Sequence, residues 1–157
     1  MAWRPYAQLT APIQKANPSV ITVISLWAAA FLAATILPFS SEVLLATALA
    51  AGQVPAWVLI SAATVGNVMG ACVNWWLGQR IATYRDRRWF PVSAAALDSA
   101  RNRFARIGVW SLLLSWVPII GDPISLAAGV LGVRFRVFLP LVFVGKAARY
   151  AIIGLFF

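Results

Sequence analysis

Apolar residues fill most of this chain, in stretches at 20–37, 43–51, 56–79, 108–117, 123–132 and 137–157, and polar residues gather in the breaks between them. A bilayer span takes roughly 20 consecutive apolar residues. Residues 56–79 and 137–157 meet that length, whereas 43–51 falls far short of it. The shorter stretches follow a repeated plan. Leu-Pro-Phe-Ser-Ser-Glu ends at Glu42 and Val-Pro-Ile-Ile-Gly-Asp ends at Asp122, so that Pro38 and Pro118 each stand four residues before a carboxylate. A short apolar run follows each acid, then a glycine at the same distance, Gly52 and Gly132, then a longer apolar segment. A hydrophobic segment broken at its centre by Pro, Gly or Ser and an acid is a poor span. It makes a good re-entrant hairpin, because unwound backbone at membrane depth is tolerated only where protein or water satisfies it. The pattern predicts an all-α integral membrane protein of two inverted repeats, each a re-entrant helical hairpin followed by a transmembrane helix. The first repeat is hairpin 20–51 with span 56–79, and the second is hairpin 108–133 with span 137–157. Paired breaks in two halves point to a transport site at the membrane midplane.

The segments outside the repeats fit the same picture. Residues 1–19 hold Trp3, Pro5, Tyr6, Pro12 and Pro18 with only Arg4 and Lys15 charged, an interfacial segment with aromatic anchors. The run after it exceeds the apolar core of a signal peptide and continues into more apolar sequence, so it is expected to be retained. Between the halves, Arg80, Arg85, Arg87, Arg88, Arg101, Arg103 and Arg106 all fall in residues 80–107. By the positive-inside rule this segment is cytoplasmic. Within it Leu97, Ala100, Phe104 and Ile107 share one face at helical spacing after Ser93 as N-cap, which predicts an amphipathic helix lying on the membrane surface.

Composition confirms the solvent. Hydrophobic residues make up 62 % of the 157 and charged ones 11 %, and mean hydropathy is +0.83, more apolar surface than one small soluble core can hide. The chain reads as a single membrane domain. Its net charge of +9 raises nucleic acid as a partner, but the placement of the arginines favours anionic lipid headgroups, so no nucleic-acid partner is expected. With one cysteine, Cys72, and no histidine, there is neither an intrachain disulfide nor a Cys/His metal spacing, and no cofactor is expected.

Three groups of residues carry candidate chemistry. Glu42 and Asp122 come first, because the topology sets them at hairpin tips facing each other near the midplane. There, burial raises and a neighbouring cation lowers a carboxyl pKa, so such a group can cycle protons. The alternative is that each acid only caps the half-helix after it. Lys146, Arg149 and Tyr150 come second, on one face of the last span at i, i+3 and i+4. Two cations at that depth need counter-charges, and Glu42 and Asp122 are the only acids in the apolar part of the chain. The functional reading of the resulting cluster is a site for an anionic phosphate headgroup, with Arg149 as a fork of donors and Lys146 as a point charge. Its structural reading is an ion-pair network that holds the hairpins to the span. Third is the stripe Gly66, Gly70, Asn74 and Gly78 with Asn67 beside it, whose small residues permit close helix packing and whose amides can bond a headgroup or a hairpin tip.

From residue 37 to about 150 the chain resembles the DedA superfamily, the SNARE-associated or VTT-domain membrane proteins, and within it the short YqaA-like branch. The resemblance rests on LPFSSEVLL at 37–45, GNVMGACVNWWLGQR at 66–80, and the run from SWVPIIGDP at 115 through AAGVLGVRFRVFL to VGKAARYA at 144–151. It implies two inversely oriented re-entrant hairpins plus spans, and transport or scrambling of phosphorylated lipids, notably undecaprenyl phosphate, coupled in some members to proton motive force. Glu42 matches the family's acid after the first Pro. The additional acid many members carry upstream has no counterpart in 20–36, and the arginines flanking the second Pro fall here on Ser115 and Gly121.

Taken together, these readings lead to a small bacterial inner-membrane lipid transporter or scramblase, multi-pass and not an enzyme. Glu42 and Asp122 are its proton-responsive gates, and Lys146, Arg149 and Tyr150 its headgroup ligands. Asn67, Asn74, Pro38, Pro118 and the three glycines line the path or pack it, and Arg101, Arg103 and Arg106 gather anionic lipid at the surface. The alternative is a membrane scaffold or assembly factor without transport. A lipid-phosphate enzyme lacks a nucleophile with an evident base, and a small-ion pore is a further reading. Gly66 and Gly70 allow homo-oligomer packing as readily as packing within the chain.

Overall fold

The computed structural model describes residues 17–35, 40–83, 108–117 and 121–157. The surface segment at the N-terminus, Pro38, Pro118 and the basic segment with Arg101, Arg103 and Arg106 lie outside the described residues. In order the chain forms α1 (Pro18–Thr35), α2 (Ser40–Ala51), α3 (Ala56–Ala82), a 3₁₀ helix (Trp110–Trp116), α4 (Gly121–Val130) and α5 (Phe135–Gly154), with no strand among the described residues. Of these, α1, α3 and α5 are long and apolar enough to cross a membrane. The sequence pattern singled out only 56–79 and 137–157 as spans and treated 20–37 as a hairpin arm. By length and composition α1 is a third candidate span.

Local chemistry sets the helix ends. Asn17 accepts the Ser19 N–H at 3.1 Å, an N-cap followed by Pro18 at the first helical position, where a missing N–H costs nothing. The repeated glycines do the matching work at the other ends. Gly52 (φ 63°) and Gly132 (φ 73°) take left-handed backbone just after α2 and α4. At Gly132 the turn closes with Gly132 N–H to Gly129 O at 3.0 Å and Val133 N–H to Ala128 O at 2.9 Å, the paired bonds of a Schellman cap. Each short helix therefore stops where the sequence repeat places its glycine, and the next long helix starts within a few residues.

Contacts along α3 give the relative directions. Gly154 rests on Ile60, Lys146 bonds Asn67, and Trp75 packs on Phe138, so α5 runs antiparallel to α3. The Trp27 backbone abuts Gly66, Asn67 bonds the Ala30 carbonyl and Asn74 the Ala34 carbonyl, so α1 runs parallel to α3. The last described turn of α1 lies beside Gly70 and Asn74, and α3 continues two turns beyond it. That remainder of α3 is covered by α4, where Gly78 meets Leu126, Gly129 and Val130.

The four-residue stripe thus serves two partners. A helix completes a turn in about 3.6 residues, so each four-residue step drifts by roughly 40°. Gly66 and Gly70 face α1, and by Gly78 the stripe has turned to α4. At all three a side chain would collide with backbone or with a Cβ across the interface. Such small residues bring helices together where lipid removes the hydrophobic drive to associate.

Two apolar cores result. Leu26, Ala30, Leu45, Val54, Leu59, Ala63 and Tyr150 join α1, α2, the first half of α3 and the end of α5. Ala71, Leu112, Ala128, Phe138 and Val142 join the second half of α3 to the 3₁₀ helix, α4 and the start of α5. Large apolar side chains point outward from every long helix, among them Ile24, Met69 and Val144, as a lipid-facing surface requires.

Candidate functional site

Between the two cores lies a polar cluster. Lys146 and Tyr150 are buried on α5, and Arg149 shares their face. The Arg149 Nε donates to Glu42 Oε1 at 2.6 Å, and its Nη2 lies at ion-pair distance from the same oxygen. The Lys146 Nζ stands 3.3 Å from Asp122 Oδ1 and also donates to Asn67 Oδ1. The Asn67 amide donates in turn to the Ala30 carbonyl at 3.1 Å. A continuous polar chain therefore runs from α1 through α3 and α5 to α4. On the other side Tyr150 and Ser41 join their hydroxyls at 3.1 Å, fixing the start of α2 to α5.

Charge balance explains why this arrangement persists in an apolar protein. An uncompensated buried ion costs several kcal/mol, roughly what a well-placed partner recovers. Two cations and two carboxylates sum to zero. Each acid also sits in the first turn of a short helix, Glu42 in α2 and Asp122 in α4, where the positive end of the helix dipole stabilises negative charge by about 0.3–1 kcal/mol. Capping and ion pairing are therefore compatible roles of the same carboxylate.

The five charged and phenolic residues singled out in the sequence, Glu42, Asp122, Lys146, Arg149 and Tyr150, come together with Asn67. The partners are specific: Glu42 takes Arg149, and Asp122 takes Lys146. Asn74 lies two turns farther along α3 and holds Ala34 of α1 at 2.8 Å. Gly66, Gly70 and Gly78 sit at helix contacts. Two serines escaped the sequence reading. Ser41 binds Tyr150, and its position beside Glu42 was the available signal. Ser115 is buried with a hydroxyl that makes no hydrogen bond, an arrangement that ordinarily costs about 1–3 kcal/mol. No spacing in the sequence marks it.

A crevice of about 310 Å³ opens between α1 and α2, bordered by Ile21, Leu26, Leu44 and Ala48 with Thr22, Ser25 and Thr47. Both threonine hydroxyls are spent on carbonyls of their own helices, which leaves Ser25 as the remaining polar side chain of an otherwise apolar lining.

A family model described as the VTT domain matches residues 37–157. The chain is 35 % identical over 134 residues to the inner membrane protein YqaA of Escherichia coli (strain K12), covering 85 % of this chain and 89 % of that one, and equally to YqaA of Shigella flexneri. It is 33 % identical over 129 residues to an uncharacterized protein of Haemophilus influenzae, across 77 % of this chain and 78 % of that relative. No solved structure matches it. The match runs through every helix that contributes to the polar cluster except α1, and on it the chain belongs to the VTT-domain family, the DedA family of membrane proteins.

Proposed function

We propose that this protein moves a phosphorylated lipid, a polyprenyl phosphate or a phospholipid, across the bacterial inner membrane. The observation that carries this reading is the meeting of Glu42 and Asp122, from the starts of two short helices, with Arg149 and Lys146 one turn apart on α5. Both short helices begin at the middle of α5 and depart in opposite directions. From Ser41 and Glu42, α2 runs toward the end of the bundle where α3 starts, packing Leu45 and Val54 with Leu59. From Asp122, α4 runs toward the end where α3 finishes, at Gly78. Two re-entrant hairpins of opposite orientation, related as an inverted repeat, account for this course. Arg80, Arg134 and Arg136 share one end of the bundle, which the positive-inside rule makes cytoplasmic along with residues 80–107.

In the mechanism the phosphate replaces carboxylates at the cations. Arg149 offers a planar fork of donors and Lys146 a compact charge. Protonation of Glu42 or Asp122 releases the cation it held, so proton supply and headgroup binding are linked. The lipid chains stay in the bilayer or in the crevice between α1 and α2, and no covalent step is needed, so no enzymatic activity is proposed. The test is transbilayer movement of a labelled phospholipid or polyprenyl phosphate in liposomes, with and without a pH gradient. Movement that Glu42→Gln abolishes in a folded protein supports the transporter, and absence of movement for every phosphorylated lipid sinks it.

A second reading is a scaffold whose polar cluster only fixes the fold. It is favoured by the fact that both cations are paired with carboxylates and Lys146 is buried with two side-chain partners. It predicts unchanged partner binding and no flux in the same experiment.

A further inference from the structure

The 27 residues of α3 extend about 40 Å at 1.5 Å per residue, more than the roughly 30 Å of a bilayer's hydrocarbon core. The two exposed tryptophans of this helix mark where that core ends. Trp57 is 70 % exposed and Trp76 49 % exposed, and they stand about 28 Å apart along the axis, the separation of two aromatic belts. Arg80 follows Trp76 by one turn, so its guanidinium reaches the level of the lipid phosphates. It lies 5.0 Å from the centre of the Trp76 ring, a cation–π contact that holds it beside the indole. No carboxylate among the described residues answers it, because the acids there, Glu42 and Asp122, are both taken at the polar cluster.

A second crevice, of about 400 Å³, opens at this level. Gly78 and Gly129 hold the backbones of α3 and α4 in contact. Beyond that contact α4 stops at Val130, and Gly132 turns the chain toward α5, whereas α3 runs on to Ala82. The space left beside the last turn of α3 is walled by Trp76, Gln79, Arg80 and Thr83 on one side and by Val130 and Gly132 on the other. The Thr83 hydroxyl is spent on the Arg80 carbonyl, which leaves the Arg80 guanidinium and the Gln79 amide as the side-chain donors of the wall. A cation in the last turn of a helix also meets the negative end of its dipole. That accounts for the sign of Arg80, but not for a hollow with an aromatic wall beside it at headgroup depth.

We propose that this crevice binds the headgroup of an anionic phospholipid, with Arg80 and Gln79 donating to its phosphate and Trp76 packed on its glycerol and upper acyl chains. The planar fork of an arginine matches phosphate oxygens. Arg134 and Arg136 share this end of the bundle, so a headgroup of net negative charge is favoured over a zwitterionic one carrying the same phosphate. The crevice lies about 20 Å along α3 from Asn67. It is therefore separate from the polar cluster and does not depend on the transport reading.

The test uses the full chain in maltoside micelles, titrated with dioleoyl phosphatidylglycerol, with dioleoyl phosphatidylcholine and, separately, with inorganic phosphate, and bound adducts are counted by native mass spectrometry. Wild type is expected to hold one phosphatidylglycerol, at least about fivefold more tightly than phosphatidylcholine. Arg80→Gln should weaken that adduct at least about tenfold, the effect of one hydrogen bond to a charged group, and Arg80→Lys, which keeps the charge without the fork, should fall between. Ala82→Phe keeps Arg80 but fills the crevice, and should also remove the adduct. Arg136→Gln takes the same charge from the same end outside the crevice and should change little. Equal losses in Arg80→Gln and Arg136→Gln would show a diffuse basic surface and overturn the site, as would an adduct untouched by Ala82→Phe. Inorganic phosphate bound as tightly as the lipid, with the same dependence on Arg80, overturns the lipid assignment. An adduct lost in Glu42→Gln but kept in Arg80→Gln belongs to the polar cluster, which sinks this inference and leaves transport standing.

Discussion

Glu42 and Asp122 stand at equivalent places, each in the first turn of a short helix and each paired with a cation of α5, yet their two ion pairs differ in how they are held. Lys146 is enclosed, with 2 % of its side chain exposed, and it reaches Asp122 on α4 and Asn67 on α3, which is itself tied to α1. Arg149 keeps 10 % of its side chain exposed beside a Glu42 that is 29 % exposed, and both of its contacts fall on one carboxylate oxygen. One cation ties several helices together, whereas the other holds α2 alone. The Lys146 pair is therefore expected to carry more of the stability than the Arg149 pair.

The largest effect should follow from Lys146→Met. Removing one member of a buried pair leaves the other uncompensated, at about 3–5 kcal/mol, and thermal unfolding in detergent should show it. Adding Asp122→Asn should recover part of that loss. If Arg149→Met destabilises the protein as much as Lys146→Met does, the contrast between the pairs is wrong.

Next in size is the glycine contact that seats α4 on α3, compared with the glycine that ends α2. Gly78→Val drives a side chain into the α4 backbone and should cost at least about 1–3 kcal/mol, measurable as a lower unfolding temperature. Gly52→Ala meets nothing within 4 Å and should cost only about 1 kcal/mol, for the left-handed backbone. Reversal of that order would show that α4 is not clamped on α3.

Glu42→Gln keeps the shape and an acceptor while removing the charge. It should lower stability by on the order of 1–2 kcal/mol but abolish lipid movement, so a flux assay sharpens the contrast where unfolding does not. The smallest effect belongs to Tyr150→Phe, which removes only the hydroxyl bond to Ser41, worth about 0.5–1.5 kcal/mol. It should loosen the start of α2 without touching α4, as hydrogen exchange in the two helices would reveal.

Much of the helical plan was legible because its signals are local. The glycines that stop α2 and α4 follow their acids at a fixed distance, and left-handed backbone just past a helix is a position glycine fills without strain. The length of 56–79 marked α3 as a span, and the shortage of acids in the apolar segments required Glu42 and Asp122 to answer Lys146 and Arg149. The equality of the two halves was less secure. The first arm became an 18-residue helix, α1, while the described part of its counterpart is a seven-residue 3₁₀ helix. Few identities joined those arms, and length alone could not tell an arm from a span.

The sequence by itself determined the solvent, the helices and the charge balance, because hydropathy, capping and neutrality are properties of residue types and their spacing. Tertiary structure alone decided which acid meets which cation, that Asn67 completes the shell of Lys146, that Tyr150 turns to Ser41, and that Ser115 is buried without a partner. Those outcomes depend on the direction and rotation of helices far apart in the chain. A drift of roughly 40° per four residues along α3 is enough to turn one stripe of glycines from α1 to α4.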